Sequence, residues 1–215
     1  MKEVSVILTS CGRFDLLEKT IDSFLNLNTY PILSFHVHED GRIPLDRIVK
    51  KYPPLNFYCS PQRIGYSASL DLLLSKVKTE YVFTCEDDWI FYRNPGFMEK
   101  SLKILENNSD IHQVWIRDLE DHNHSHGDII EVSGIKVRPV IPGYRKVWNG
   151  FSLNPGLRRM SDLKKFFPNG LSKCGDGDEA TLAKHTAKFN YRAVSLVETS
   201  IKHAGWNRRS INFKP

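Results

Sequence analysis

No run of apolar residues in this chain approaches the ~20 that a membrane-spanning helix needs. The longest early one, Val4 to Leu8, has neither a charged leader nor a small-residue cleavage site, so no membrane insertion or targeting is expected. Cysteine is scarce. Cys11, Cys59, Cys85 and Cys174 stand far apart with no C-x-x-C pair, which argues against a zinc ribbon or a redox dithiol and reads as reduced core thiols of a cytoplasmic protein. Long basic runs are lacking as well. Lys plus Arg number 30 against 25 Asp plus Glu, a formal net charge of +5, but the basic residues cluster only in pairs such as Lys50-Lys51 and Arg208-Arg209. That balance favours a small anionic ligand; a nucleic-acid binder would show a basic stripe with interleaved aromatics, so nucleic acid is not an expected partner. No internal repeat or low-complexity linker is present.

What is present is an ordinary globular composition, 40% hydrophobic and 26% charged over 215 residues, enough for one large domain or two small ones packed closely. The β-branched run Val4 to Thr9 precedes Phe14 to Leu27, where Leu17, Ile21, Phe24 and Leu25 recur at helical spacing. Strands are expected at Ser34 to Glu39, Leu55 to Cys59, Tyr81 to Cys85 and Ile111 to Ile116. Helices are expected between them at Pro44 to Tyr52, Ser67 to Val77 and Pro95 to Glu106. The second half changes character: a His-rich loop from Arg117 to Asp128, a hairpin over Ile129 to Val140 turning at Ser133-Gly134, a helix over Asp178 to Phe189, a strand over Tyr191 to Val197, and a basic tail.

Chemistry is expected at the carboxyl ends of the strands, where open α/β sheets bind their ligands. Glu86-Asp87-Asp88 follows a strand at once, and three crowded carboxylates are costly unless a cation shares the site, with a divalent metal the natural occupant. If the segment stays extended, Glu86 and Asp88 share one face and Asp87 takes the other; a solvated acidic turn is the plainer alternative. Thr9, Ser10 and Arg13 form a turn before a helix suited to a nucleotide, and Asp40 offers an acceptor for a base edge. Arg63 and Gly65 open another helix suited to a diphosphate. His122, His124 and His126 invite a zinc site, but a polar loop explains them better. Trp148 and Asn149 are candidates for an acceptor wall, with Trp148 stacking on a sugar.

Together these residues resemble the GT-A glycosyltransferases of the family-2 type, which begin with a V-S-V-I-L-T-S-like strand and a helix. Its small size is also similar to that of a chlorella-virus glycosyltransferase domain, which would place it in host cytoplasm. Glu86-Asp87-Asp88 stands where the family carries its D-x-D metal motif, implying Asp88 as a metal ligand with Glu86 and Asp87 toward the nucleotide. His203-Ala204-Gly205 resembles the H-x-G that supplies a further ligand, and Arg208 and Arg209 follow it as diphosphate partners. Asp178-Glu179 stands near the family's acidic helix-start motif with the acid order inverted, so either residue is the candidate base, and helix capping is the alternative role.

The resemblance implies an α/β fold, a GT-A (Rossmann-like), mostly parallel mixed sheet flanked by helices, with a small antiparallel hairpin in the second half. It implies one domain over 1–215, with 1–116 as a nucleotide-binding half and 117–215 as an acceptor half and metal-completing tail. The expected function is transfer of a sugar from a UDP-sugar to a hydroxyl on a glycan acceptor with Mn2+ or Mg2+, with the chain expected as one domain of a larger multi-transferase polypeptide. Two alternatives are a sugar-1-phosphate nucleotidyltransferase, whose G-x-G-T-R-like opening Ser10-Cys11-Gly12-Arg13 does not match, and a non-catalytic carbohydrate-binding domain.

Overall fold

The computed structural model describes residues 1–41, 44–121, 124–141 and 148–206. Four strands, β1 (Val4–Ser10), β2 (Ser34–Glu39), β3 (Asn56–Cys59) and β4 (Tyr81–Glu86), pair in parallel. Leu8 lies level with Val37 on one side and Cys85 on the other. Every residue of β1 is buried, as a parallel strand covered on both faces requires. Between the strands run α1 (Phe14–Leu27), α2 (Asp46–Lys51) and α3 (Tyr66–Leu74). Helix α1 buries Leu17, Ile21 and Phe24 on one stripe, each burial favourable by ~1.5–3 kcal/mol. Phe24 meets Phe35, Phe83, Phe91 and Phe97 in an aromatic cluster on that face of the sheet.

The chain continues through β5 (Trp89–Phe91), α4 (Phe97–Asn107), β6 (Ile111–Trp115), β7 (Ile130–Val132), β8 (Ile135–Pro139), β9 (Gly156–Arg159), α5 (Met160–Phe166), α6 (Glu179–Thr186), β10 (Arg192–Leu196) and β11 (Ile201–His203). Among the described residues nine strands form one sheet in the order β3-β2-β1-β4-β9-β6-β10-β8-β7, and β5 pairs with β11 in a second, two-stranded sheet. The hairpin lies where the sequence places it. Ser133 and Gly134 both have positive φ, the backbone of a two-residue turn whose twist suits the flanking strands. The opposite face of the main sheet packs against α3, α5 and α6 around Leu70, Phe151, Phe166 and Leu182.

Three expectations need correction. β9 carries no alternating pattern, yet it runs antiparallel between β4 and β6 at the middle of the sheet. The segment after the last expected strand, read only as a basic tail, contains β11, ordered by antiparallel pairing with β5, His203 opposite Trp89. The acidic triplet does not stay extended: β4 ends at Glu86, and Asp87 and Asp88 form the turn into β5. Asp87 and Asp88 therefore do not take opposite faces; both meet the Arg13 guanidinium.

Candidate functional site

The carboxyl ends of β1, β2 and β4 converge on one cleft, lined by Thr9, Ser10, Cys11, Arg13, Asp40, Arg63, Tyr66, Ser69, Glu86 and Asp87. Sequence position alone disperses these groups over more than a third of the chain; parallel pairing brings them to one edge. Asp40 spends both carboxylate oxygens on the following loop, accepting from the backbone N–H of Ile64 at 2.7 Å and of Gly65 at 2.8 Å. Gly65 has φ +85, a left-handed conformation open to glycine, and it starts α3 from there. Glu39, fully buried, accepts at Oε1 from Gly12 N (2.7 Å) and Gly41 N (2.6 Å), fixing the two turns against each other. The Arg63 side chain is more than a third exposed at the rim, its Nε 3.8 Å from Asp40.

Arg13 holds the acidic turn. Its guanidinium pairs with Asp87 and, through Nη1 at 2.9 Å, with Asp88 Oδ2. Ser10 Oγ also donates to Asp87, at 3.0 Å. Burial pushes Asp87 up to about 6 despite the opposing charge of Arg13. Glu86, whose carboxylate accepts from Trp89 Nε1 at 3.3 Å, is pushed up to about 8 by burial and by the charges of Asp88 and Glu179. Burial also acts to raise Asp88, but the His203 hydrogen bond and the Arg13 charge outweigh it and hold its carboxyl below the usual range. The crowding expected of three carboxylates is thus relieved by Arg13, which pairs with both Asp87 and Asp88, and by the upward shift of Glu86.

Asp88 Oδ2 lies 3.2 Å from His203 Nε2. The β5–β11 pairing and the Ala204 N–H donated to the Asp88 carbonyl at 2.8 Å zip the two backbones together. Gly205 closes over the pair so tightly that a Cβ there would lie 2.3 Å from Asp88 Oδ2. Among the described residues no group of three or more His, Cys, Asp or Glu could hold a metal. One carboxylate oxygen and one imidazole nitrogen within 3.2 Å nonetheless fit two positions of a Mn2+- or Mg2+-class cation, which commonly takes its remaining ligands from water and phosphate.

Next to this cleft, α6 and the segment before β9 border a groove of about 860 Å³ lined by Arg117, His124, Trp148, Phe151, Asn154, Asp178, Glu179, Ala180, Ala183 and Lys184. The structure gives the two inverted acids different surroundings. Asp178 is the N-cap of α6, its side chain accepting from Thr181 N at 2.7 Å. Glu179 Oε1 accepts from Ser152 Oγ at 2.8 Å and from Leu153 N at 2.9 Å, and the carboxylate is near enough for its charge to act on Glu86. Trp148 lines the groove with its ring 4.9 Å from that of His124. Asn149 turns inward instead, bonding Thr186 and the Phe151 N–H.

Of the histidine run, His122 lies outside the described residues, and so do Arg208 and Arg209. Sequence reasoning missed Arg117, which follows β6 and whose place just beyond a strand's carboxyl end could have marked it. It missed the fully buried cation Arg158 under the site, whose guanidinium burial pushes down to about 10. It also missed Asp121 and Trp206, which only the tertiary fold brings together.

The glycosyl transferase family 2 model matches residues 5–159 of this chain. In structure the chain is similar to the mannosyltransferase PcManGT from Pyrobaculum calidifontis in complex with GDP-Man and Mn2+, with a TM-score of 0.65, 16% identity, and coverage of 96% of this chain and 58% of that one. It is similar also to S. aureus TarS 1-349, with a TM-score of 0.67, 17% identity, and coverage of 95% of this chain and 61% of that one. TarS 1-349 in complex with UDP-GlcNAc matches at 0.67 and 17%, covering 100% of this chain and 62% of that one. The chain spans about three-fifths of the length of these structures. No curated protein matches it by sequence.

Proposed function

The chain belongs to glycosyl transferase family 2, and from that premise we propose that it transfers a sugar from a nucleotide diphosphate donor, a UDP-sugar, to a hydroxyl group on a glycan. The observation that carries this reading is the pairing of Asp88 with His203 beside the strand-end cleft. Glu179 lines the adjoining groove. Asp88 and His203 would hold Mn2+ or Mg2+; when bound, the cation neutralises charge developing on the departing diphosphate.

The chain's own residues do the rest. Thr9, Ser10 and Asp40 shape the nucleotide cleft, with Gly65 held against Asp40, and Arg63, part-exposed at the rim, meets a phosphate. Arg208 and Arg209 remain the expected further diphosphate partners. Glu179 serves as the base: it takes the proton from the acceptor hydroxyl as that oxygen attacks the anomeric carbon and the bond to the diphosphate breaks, with inversion. Asp178, committed to capping α6, is the poorer candidate. Trp148 offers an aromatic wall for the acceptor sugar.

Among the described residues no helix is long and apolar enough to cross a membrane, and we place the reaction in the cytoplasm, within a longer polypeptide carrying further transferase domains. Calorimetry with UDP, with and without Mn2+, tests the reading. Metal-dependent UDP binding without preference for UTP supports it, a preference for UTP favours a nucleotidyltransferase, and absence of nucleotide binding leaves a carbohydrate-binding domain. Screening UDP-sugars for turnover, with the anomeric configuration of the product read by NMR, then fixes the donor and the stereochemistry.

A further inference from the structure

Just after β6 the chain makes a 3-10 turn, Leu119–Asp121, which belongs neither to the cleft nor to the lining of the groove. Its last residue receives three donors from separate places. Asp121 Oδ2 accepts from the backbone N–H of His203 at 2.7 Å and from Arg117 Nε at 3.2 Å. Oδ1 accepts from Trp206 Nε1 at 2.9 Å. Arg117, itself buried and bonded to Asn154 Oδ1 at 3.1 Å, is stacked between the rings of Trp89 and Trp206, at 4.9 and 5.5 Å from their centres. The His203 ring lies 4.9 Å from Trp89 and 4.8 Å from Trp206, edge-on to both.

We propose that Asp121 is a positioning residue for the cation site: one carboxylate ties the His203 backbone, the Trp206 indole and the Arg117 guanidinium into a unit that keeps the His203 imidazole aimed at Asp88. The inference rests on the reading of Asp88 and His203 as cation ligands. Pairing with β5 fixes His203 from one side only, because a strand's N–H groups point alternately to either side; the N–H of His203 points away from β5, and Asp121 takes it. Without that acceptor, a half-buried N–H and an indole N–H lose their partner next to a guanidinium that has lost its anion. The end of β11 is then free to rotate the imidazole off Asp88. Outer partners that orient a ligand typically change metal affinity by ~10–100-fold.

The test is Mn2+ binding to the full chain, followed by the electron paramagnetic resonance of the free ion, with circular dichroism as the check on folding. The variants are Asp121→Ala, Asp121→Asn and, as reference, His203→Ala. Asp121→Ala should weaken Mn2+ binding by roughly 10-fold or more with UDP binding in the absence of metal unchanged. Asp121→Asn, which keeps one acceptor oxygen and sets an amide N–H2 against one of the three donors, should fall between that variant and the wild type. Should Asp121→Ala unfold, Asp121→Asn carries the comparison. Wild-type Mn2+ affinity in either folded Asp121 variant, with His203→Ala impaired, overturns the proposal alone. Wild-type affinity in His203→Ala overturns the cation reading and the proposal with it.

Discussion

Replacing His112 by leucine should make the protein markedly more resistant to acid. His112 is on β6, 1% exposed, stacked on Phe151 with ring centres 6.1 Å apart, and enclosed edge-on by Phe166 and Tyr191. Burial, reinforced by the Arg158 guanidinium, pushes its imidazole down to about 3. The unfolded chain takes up that proton near the ordinary value of 6.5. Between the two values the unfolded state binds more protons than the folded one, so His112 costs nothing above pH 7 and destabilises the fold increasingly as pH falls through 6.5. One proton over that interval amounts to about 5 kcal/mol at the acid limit, and about 2 kcal/mol is already felt between pH 8 and pH 5. Urea unfolding of wild type and His112→Leu at both pH values measures it. Other buried histidines, His36 and His38 among them, are pushed down by burial as well, so the informative quantity is the difference between the two proteins. The variant should lose about 2 kcal/mol less than wild type on going from pH 8 to pH 5. Equal losses would refute the reasoning, because His112 would then titrate in the folded state as it does in the unfolded one.

Four further outcomes follow from the site. Asp88→Ala should abolish Mn2+-dependent UDP binding with the fold intact, and His203→Ala should weaken it less, since a neutral nitrogen supplies less charge than a carboxylate; titration calorimetry ranks them, and an equal or larger loss at His203 contradicts the order. Glu179→Gln should lower kcat by roughly 10²-fold or more while UDP binding survives. Asp178→Ala should instead cost about 1 kcal/mol of stability for the lost cap with kcat near wild type, and steady-state kinetics showing the reverse would move the base to Asp178. Gly205→Ala, whose new Cβ must displace the Asp88 carboxylate or its own loop, should weaken Mn2+ binding by roughly 10-fold or more without unfolding the chain; unchanged affinity would show that the loop yields at no cost to the site.

The parallel half of the sheet was legible because β1 and β4 are β-branched or aromatic runs buried almost throughout, and α1 carries one apolar stripe. β9 was not. Its sequence, Gly156-Leu157-Arg158-Arg159, presents two cations at the centre of a sheet, and they are tolerated only through partners elsewhere: Arg158 donates to Thr84 and to the Ser152 carbonyl, Arg159 to Asp162 and to the Leu105 and Ile111 carbonyls. β11 was hidden for a related reason, since three residues acquire strand geometry only by lying beside Trp89–Phe91. At the site, the acids were visible as a triplet, but their different shifts were not, because these depend on how deeply each is buried and on Arg13 reaching Asp87 and Asp88 from the turn after β1. The choice between Asp178 and Glu179 likewise needed the partners of each carboxylate.

The two-stranded sheet also dictates when in the life of the molecule this site can exist. Asp88 and His203 are separated by more than half of the chain, and the strand that delivers His203 is nearly the last described segment. During synthesis the first four strands and their helices can emerge and pair with one another, while β5 waits for its partner until residues 201–203 have emerged. Closing so long a loop is entropically costly and slow relative to local pairing. The proposed nucleotide cleft can therefore form before the proposed cation site, and a nascent chain from which residues 201–203 have yet to emerge would have Asp88 without His203.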